Sequence, residues 1–335
     1  MIAGISSMNK LLLATLCTLA MESSSWALGY TATVLSPSWA DVTSFNNAGQ
    51  LAGSCFDAAA PDGFRACYSP QLFAEPIELL GGTRVSRIND GLAMSGVDDS
   101  VSGSQSVFFS DPTASPTASI IYTFPGTFNA YGWSVGYKVW PSGSRLYLTD
   151  GTSAYLLPTL VGSDQAADIN DSFWIAGSSG HNATILTPWT LFDVSSAITD
   201  PTCNSTSTLQ VNNLFQAVIQ CRRVDGSSSL YTLDVSSLGT GAPLPDAIAV
   251  PALRGFMLSL DSNSSGWFVG AASNVSGPLV EDAFVNTGLA TIDLNTRISL
   301  PGVHLTEAIA IDEMGNIISQ GTLWGVARFF YLQRN

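Results

Sequence analysis

Residues 169–177 read INDSFWIAG, and variants of this nine-residue frame recur along nearly the whole chain. Aligned on its opening residue, the frame reads FNNAGQLAG at 45–53, INDGLAMSG at 88–96 and FNAYGWSVG at 128–136. It reads SNSSGWFVG at 262–270, IDEMGNIIS at 311–319 and, in a worn copy, VNNLFQAVI at 211–219. The pattern is an opening residue that is usually apolar, then Asn or Asp, a short polar turn usually carrying Gly, and an apolar stretch ending in a small residue. Its second positions are Asn46, Asn89, Asn129, Asn170, Asn212, Asn263 and Asp312, giving steps of 43, 40, 41, 42, 51 and 49 residues. A period near forty that contains strands and turns but no helical periodicity points to propeller blades rather than a helical solenoid. Each frame reads as the tip of a hairpin, with Asn/Asp and Gly at positions needing tight or left-handed geometry.

Further strands fill each repeat. Between frame and closing strand lie FRACYS at 64–69, SQSVFFS at 104–110, SRLYLTD at 144–150, NATILTP at 182–188 and EDAFVNT at 281–287. Closing strands are expected at EPIELLG (75–81), SIIYTFPG (119–126), AYLLPTLVG (154–162), TLFDV (190–194) and ATIDLN (290–295). The expectation is an all-β chain, a β-propeller of four-stranded antiparallel blades. The repeat at roughly 195–250 opens with a polar loop, lacks the frame Gly and ends in the Pro-rich GAPLPDAIAVP. Counting it gives seven blades; six is the alternative.

The last repeat offers AIAID, GNIIS and ARFFYLQ, three strands without a fourth, while YTATVLS at 30–36 precedes the first frame and belongs to no repeat. If 30–36 pairs antiparallel with the strand near 326–332, the ring closes and no blade keeps an open edge.

Of the 335 residues only 11% are charged, the net charge is −14, and there are 12 Lys and Arg with no run longer than Arg222–Arg223. That balance argues against nucleic acid or an anionic membrane surface as partner. Residues 8–27 combine a basic residue, a short apolar core and the small-x-small end Ser25-Trp26-Ala27, which reads as a secretory signal peptide occupying 1–27. The remaining 28–335 is read as one propeller domain, secreted or periplasmic, monomeric, with no membrane span and no cofactor. Beyond Cys17, which sits in no convincing lipobox, four cysteines remain in an oxidising compartment. Three connectivities are open; Cys55–Cys67 and Cys203–Cys221, neighbours within one repeat, are the natural choice. No C-x-x-C pair exists and His181 and His304 lie apart, so no metal site is expected.

The frames AADINDSFWIAG at 166–177, TSFNNAGQLAG at 43–53 and AIAIDEMGNIISQG at 308–321 resemble the units of the extracellular HAF-repeat family, whose hairpin runs A-x-x-I-N-x-x-G-x-V-V-G. The aromatic strand of that family has counterparts in VFF at 107–109 and DAF at 282–284. The resemblance covers nearly all of 28–335 and implies an exported repeat protein; it carries no catalytic chemistry across.

Neither histidine adjoins a nucleophile elbow, so a Ser-His-Asp site has no support. Asp90, Asp168, Asp171 and Asp312 could supply paired carboxylates for glycoside chemistry, but Asn and Asp recur at every turn and have a structural job there. Asp98-Asp99 begins no calcium loop. Trp133, Trp140, Trp174, Trp267 and Trp324 could stack on sugars or pack between blades. Asn182, Asn204, Asn263 and Asn274 head glycosylation sequons. The expected function is a non-enzymatic interaction or ligand-binding scaffold for a protein or glycan. The alternative is a carbohydrate-active propeller enzyme with carboxylates at the central funnel.

Overall fold

A computed structural model of the chain describes residues 28–60, 63–99, 105–118, 127–140, 143–151, 153–158, 164–250, 257–273 and 281–335. The signal-peptide reading of 1–27, the closing strand at 119–126 and the sequon at Asn274 lie outside them. Seven antiparallel sheets follow one another in sequence order, which makes the fold a seven-bladed β-propeller. Blade 1 is built from Trp39–Phe45, Leu51–Phe56, Phe64–Ser69 and Ile77–Glu78, and blade 2 from Arg84–Ile88, Met94–Asp98, Gln105–Phe109 and Thr117–Ala118. Blade 3 shows Ser134–Trp140, Gly143–Thr149 and Ala154–Leu156, with Phe128 bridged to Ser134 ahead of them. Blades 4 and 6 each have four strands, the first of them Asp164–Ile169 and Met257–Ser262.

The irregular fifth repeat is a full blade: Cys203–Val211, Gln216–Arg223, Ser228–Asp234 and Ile248–Ala249. Six blades is therefore ruled out. Its first strand starts at Cys203, within the stretch read as a polar loop, and the polar CNSTSTLQV alternates in burial along its length. The closing strands, by contrast, are much shorter than their sequences suggested, with two residues at Ile77–Glu78 and three at Ala154–Leu156. These are the outer edges of blades, and very short edge strands offer little template for pairing with another chain.

Blade 7 consists of Val303–Ile311, Ile317–Leu323 and Val326–Arg334, and its outer strand is Tyr30–Val34. The pairing runs antiparallel from Tyr30 opposite Arg334 to Val34 opposite Phe330. The ring is closed as expected, with the partner segment slightly nearer the C-terminus. Both cysteine pairs join strands of one blade, Cys55 to Cys67 in blade 1 and Cys203 to Cys221 in blade 5, with Cα separations of 5.8 and 5.5 Å.

The apolar core is distributed over the seams. One cluster packs Ala52, Ala66 and Tyr68 of blade 1 against Val85, Met94 and Phe109 of blade 2. Another packs Val269, Val285 and Ile292 of blade 6 against Leu305, Ile317 and Phe330 of blade 7. A third joins blade 7 to blade 1 through Ile309, Ile318 and Tyr331 against Val42, Phe45 and Leu51. Each blade buries both faces against its neighbours, so second strands such as Leu51–Phe56 and Gln216–Arg223 are buried along most of their length.

The glycine that ends the frame in blades 1, 2 and 4 has a steric cause. In blades 1, 2, 4, 5, 6 and 7 the first strand carries a bulge, and in blades 1 and 4 its carbonyls press onto the second strand there. A Cβ added at Gly53 would lie 2.1 Å from the Asp41 carbonyl oxygen, and one at Gly177 would lie 2.1 Å from that of Gln165. No side chain fits at that distance.

Candidate functional site

The first strands and the frame turns line a central channel, and three hydrogen-bonded rings of side chains are stacked along it. The first ring is the turn itself. In Asn170 the Oδ1 accepts the amides of Ser172 at 3.0 Å and Trp174 at 2.9 Å, and the same pair of bonds recurs at Asn129, Asn212, Asn263 and Asp312. The left-handed residue is always the fifth of the frame and never the second. It is Gly at 49, 132, 266 and 315, but Leu92, Phe173 and Phe215 take φ of 67°, 60° and 59° at the same place. Asn/Asp and Gly were expected at positions needing tight or left-handed geometry; the Asn satisfies amides of the turn, and the left-handed geometry falls on the fifth residue.

That side chain also does something no single repeat could show. Its Nδ2 donates to the backbone carbonyl of the second-position residue in the following blade: Asn46 to Asn89 at 3.0 Å, Asn129 to Asn170 at 3.5 Å, Asn170 to Asn212 at 3.0 Å and Asn263 to Asp312 at 3.1 Å. Asp312 has no donor to offer, and at the seam between blades 7 and 1 the bond comes from the next residue, Glu313, whose amide donates to Asn47 Oδ1 at 2.9 Å. This belongs to the second ring, formed by the third frame positions. Asn47 binds Asp90 through its amide and side chain, the Ala130 amide donates to Asp171 Oδ1, the Asp171 amide to Asn213 Oδ1, and Ser264 to the Glu313 carboxylate.

The third ring is formed by the residue before each frame. Ser44 Oγ accepts the Ile88 amide at 3.2 Å, Thr127 Oγ1 that of Ile169 at 3.1 Å, Asp168 Oδ2 that of Val211 at 3.0 Å, and Asp261 Oδ2 that of Ile311 at 2.8 Å. Thr127 also donates its hydroxyl to Asp168. Arg87 stands in the same register, its Nη1 donating to the Thr43 carbonyl at 3.0 Å. Asp168 and Asp261 keep contact with the channel lumen but are densely surrounded by protein atoms. Burial raises the Asp168 carboxyl above its ordinary range against the lowering effects of Thr127 and the Val211 amide. Burial pushes Asp261 up to about 6, with Arg87 opposing and Asp168 adding to the rise. The cavity has a volume of about 220 Å³, and a second cavity lined by Asp41, Arg84 and Glu307 shares Arg87 with it.

Of the carboxylates considered from the sequence, Asp168 faces the channel, Asp90 and Asp171 belong to the ring at its mouth, and Asp312 is a turn residue. Asp261 was not among the carboxylates considered from the sequence, because the residue before each frame was not read as a register of its own. The register itself, one residue before the frame, would have found it beside Asp168. His304 lies 3.7 Å from Asp282, both partly exposed, and no serine among the described residues is bonded to it. Asp200, Cys203 and Cys221 come together, but the two sulfurs form a disulfide and Asp200 is held by Arg223 at 2.6 Å, so they offer no thiolate site.

The frame turns and the loops between third and fourth strands emerge on one face. On it stand Phe73, Tyr131, Tyr155, Trp189, Leu214 and Met314, all more than half exposed. Tyr131 stacks on Phe173 with ring planes 3° apart, and Trp133 packs edge-on to Phe173 and tilted to Tyr155. Trp174 packs on Phe215 with centroids 4.7 Å apart, and Trp267 lies under Arg334. Trp133, Trp174 and Trp267 are half-buried between blades as the packing reading expected, Trp324 is exposed, and the side chain of Trp140 lies outside the described residues.

No protein-family model and no curated protein sequence matches the chain. Solved structures do. The β-propeller domain of the Trilobed protease from Pyrococcus furiosus, described as having an open velcro topology, is 8% identical with a TM-score of 0.59, over 92% of this chain and 97% of that one. The acylaminoacyl peptidase of Pyrococcus horikoshii is 8% identical with a TM-score of 0.54, over 90% of this chain and 51% of that one. The WD40 domain of Toxoplasma gondii coronin is 6% identical with a TM-score of 0.52, over 91% and 84%. At these identities the likeness is one of fold: the chain is a β-propeller.

Proposed function

We propose that the protein is an exported, non-enzymatic propeller of the HAF-repeat kind that binds a protein or glycan ligand on the face carrying the frame turns. The observation that supports it is the contrast between the two uses of the frame. Second- and third-position side chains such as Asn46, Asn170, Asn263, Asn47 and Asp171 are engaged in bonds between blades, whereas Tyr131, Leu214 and Met314, at the fourth position, project into solvent beside the channel mouth. Exposed aromatic and apolar side chains gathered on one rigid face are what a binding surface needs. Two disulfides fit an oxidising compartment, and among the described residues no helix is long and apolar enough to cross a membrane.

The test is a glycan array together with a pull-down from envelope extract, repeated with Tyr131→Ala and Trp189→Ala. Loss of the captured ligand with an unchanged melting temperature supports the reading. Capture that survives both changes but is lost in Trp324→Ala, on the opposite face, overturns it. The carbohydrate-active alternative would draw on Asp168 and Asp261, and turnover of an arrayed glycan that disappears in Asp261→Asn would replace binding by catalysis.

A further inference from the structure

One group in the channel wall has an acceptor that nothing uses. In the ring formed by the residue before each frame, Ser44, Thr127, Asp168 and Asp261 each accept the opening amide of the next blade. Gln210 holds the same register in blade 5, between Asp168 and Asp261. The amide it would accept belongs to Ser262, and that amide supports the Asp261 carboxylate instead. Gln210 is 4% exposed, lines the cavity, and its Oε1 is buried without a hydrogen-bond partner. An amide oxygen left so costs about 1–3 kcal/mol.

The charges around it are unbalanced in one direction. Among the described residues, those lining the cavity include the carboxylates Asp90, Asp168, Asp171, Asp261 and Glu313 and a single cationic side chain, Arg87. The bonds already made by Asp90, Asp171 and Glu313 come from neutral donors, namely amides, carboxamides and a hydroxyl. Among the described residues, every polar lining group apart from Arg87 is a hydroxyl, carboxylate, carboxamide or backbone group, with no thiol and no imidazole. Oxygen donors of this kind select hard cations over soft ones.

We propose that the channel binds a hard metal cation between blades 4 and 6, held by Asp168, Asp261 and the Gln210 amide oxygen, directly or through bound water. About 220 Å³ accommodates the ion with several waters, each taking about 30 Å³ of liquid volume. The cation supplies the positive charge that Arg87 alone does not, and gives Gln210 Oε1 its partner. This site is separate from the exposed face, and either can fail without the other.

The full chain, treated with EDTA and desalted, would be melted against increasing CaCl₂, MgCl₂ and NaCl at constant ionic strength. A saturable rise in melting temperature with one of them is expected and identifies the ion. Asp261→Asn keeps the acceptor for the Ile311 amide, so it should fold while weakening the ion's affinity at least tenfold. Gln210→Leu should do the same, and Gln210→Glu, which adds a carboxylate at that point, should tighten binding. The last change separates an ion ligand from a packing residue, because a purely structural glutamine gains nothing from it. Absence of a saturable shift with all three salts overturns the proposal. So does a shift that survives Asp261→Asn and Gln210→Leu unchanged, since the ion then binds elsewhere.

Discussion

Replacing Asn170 by Ala removes three bonds at one point of the inner ring. Its Oδ1 loses the Ser172 and Trp174 amides, bonded at 3.0 and 2.9 Å, and its Nδ2 loses the Asn212 carbonyl of blade 5 at 3.0 Å. Asn170 is 4% exposed, so water cannot freely replace them. At about 1 kcal/mol for each group left unpaired, the expected loss is about 3 kcal/mol. Asn170→Asp keeps the two accepted bonds and loses only the one to blade 5, so about 1–2 kcal/mol is expected, the excess reflecting a carboxylate brought against a carbonyl. For a domain of this size, with an unfolding entropy of about 2 cal/mol/K per residue, each kcal/mol lowers the melting temperature by about 1.5 °C. The Ala variant should therefore melt about 5 °C lower and the Asp variant about 2 °C lower, followed by tryptophan fluorescence. If Asn170→Ala melts within 1 °C of the parent, the inner ring is not a stabilising device and its role must be sought in binding.

Deleting 28–37 strips Tyr30–Val34 from Val326–Arg334 and exposes that apolar strand as an open edge; the product should aggregate and lose cooperativity in light scattering and melting curves, and a soluble, equally stable deletion would refute ring closure as a stabilising element. Converting Cys203 and Cys221 together to Ser frees a loop of 18 residues and should cost about 3 kcal/mol by denaturant titration, whereas cross-linked peptides joining 55 or 67 to 203 or 221 would contradict the pairing. Asp200 is held well below the ordinary carboxylate range by the Thr202 hydroxyl and amide, then Arg223, with Tyr231 contributing. A depressed folded pKa gives stability that is present above the unfolded value and lost as pH falls through the folded one. Asp200→Asn should thus be less stable than the parent at pH 7, and the gap should close as pH falls from about 4 towards 2; a gap that is constant with pH would show that the carboxylate's charge plays no part.

The sequence by itself determined the blade. The frame at 169–177 and its six relatives carry the local chemistry of a hairpin: Asn170 at the second position to bond the turn amides, Gly177 where the bulged strand of its own blade leaves no room for a Cβ. Those constraints act between residues a few positions to about a dozen apart, so they leave a periodic trace, and the same holds for Cys55 with Cys67. Ring closure was also legible, because an orphan strand at 30–36 and a three-stranded last repeat have one economical solution. Contacts between blades left no such trace. The bond from Asn170 to the Asn212 carbonyl depends on how far one blade is rotated from the next, which no residue spacing encodes. Left-handed backbone at Leu92, Phe173 and Phe215 was hidden for a related reason: packing around the turn imposes what local preference would give to glycine. Tertiary structure alone brought Arg87, Asp168, Gln210 and Asp261, scattered over 175 residues, to one level of the channel. Each occupies an ordinary position in its own repeat, and only the closed ring turns their side chains towards a common axis, where burial and mutual charge change what they can bind.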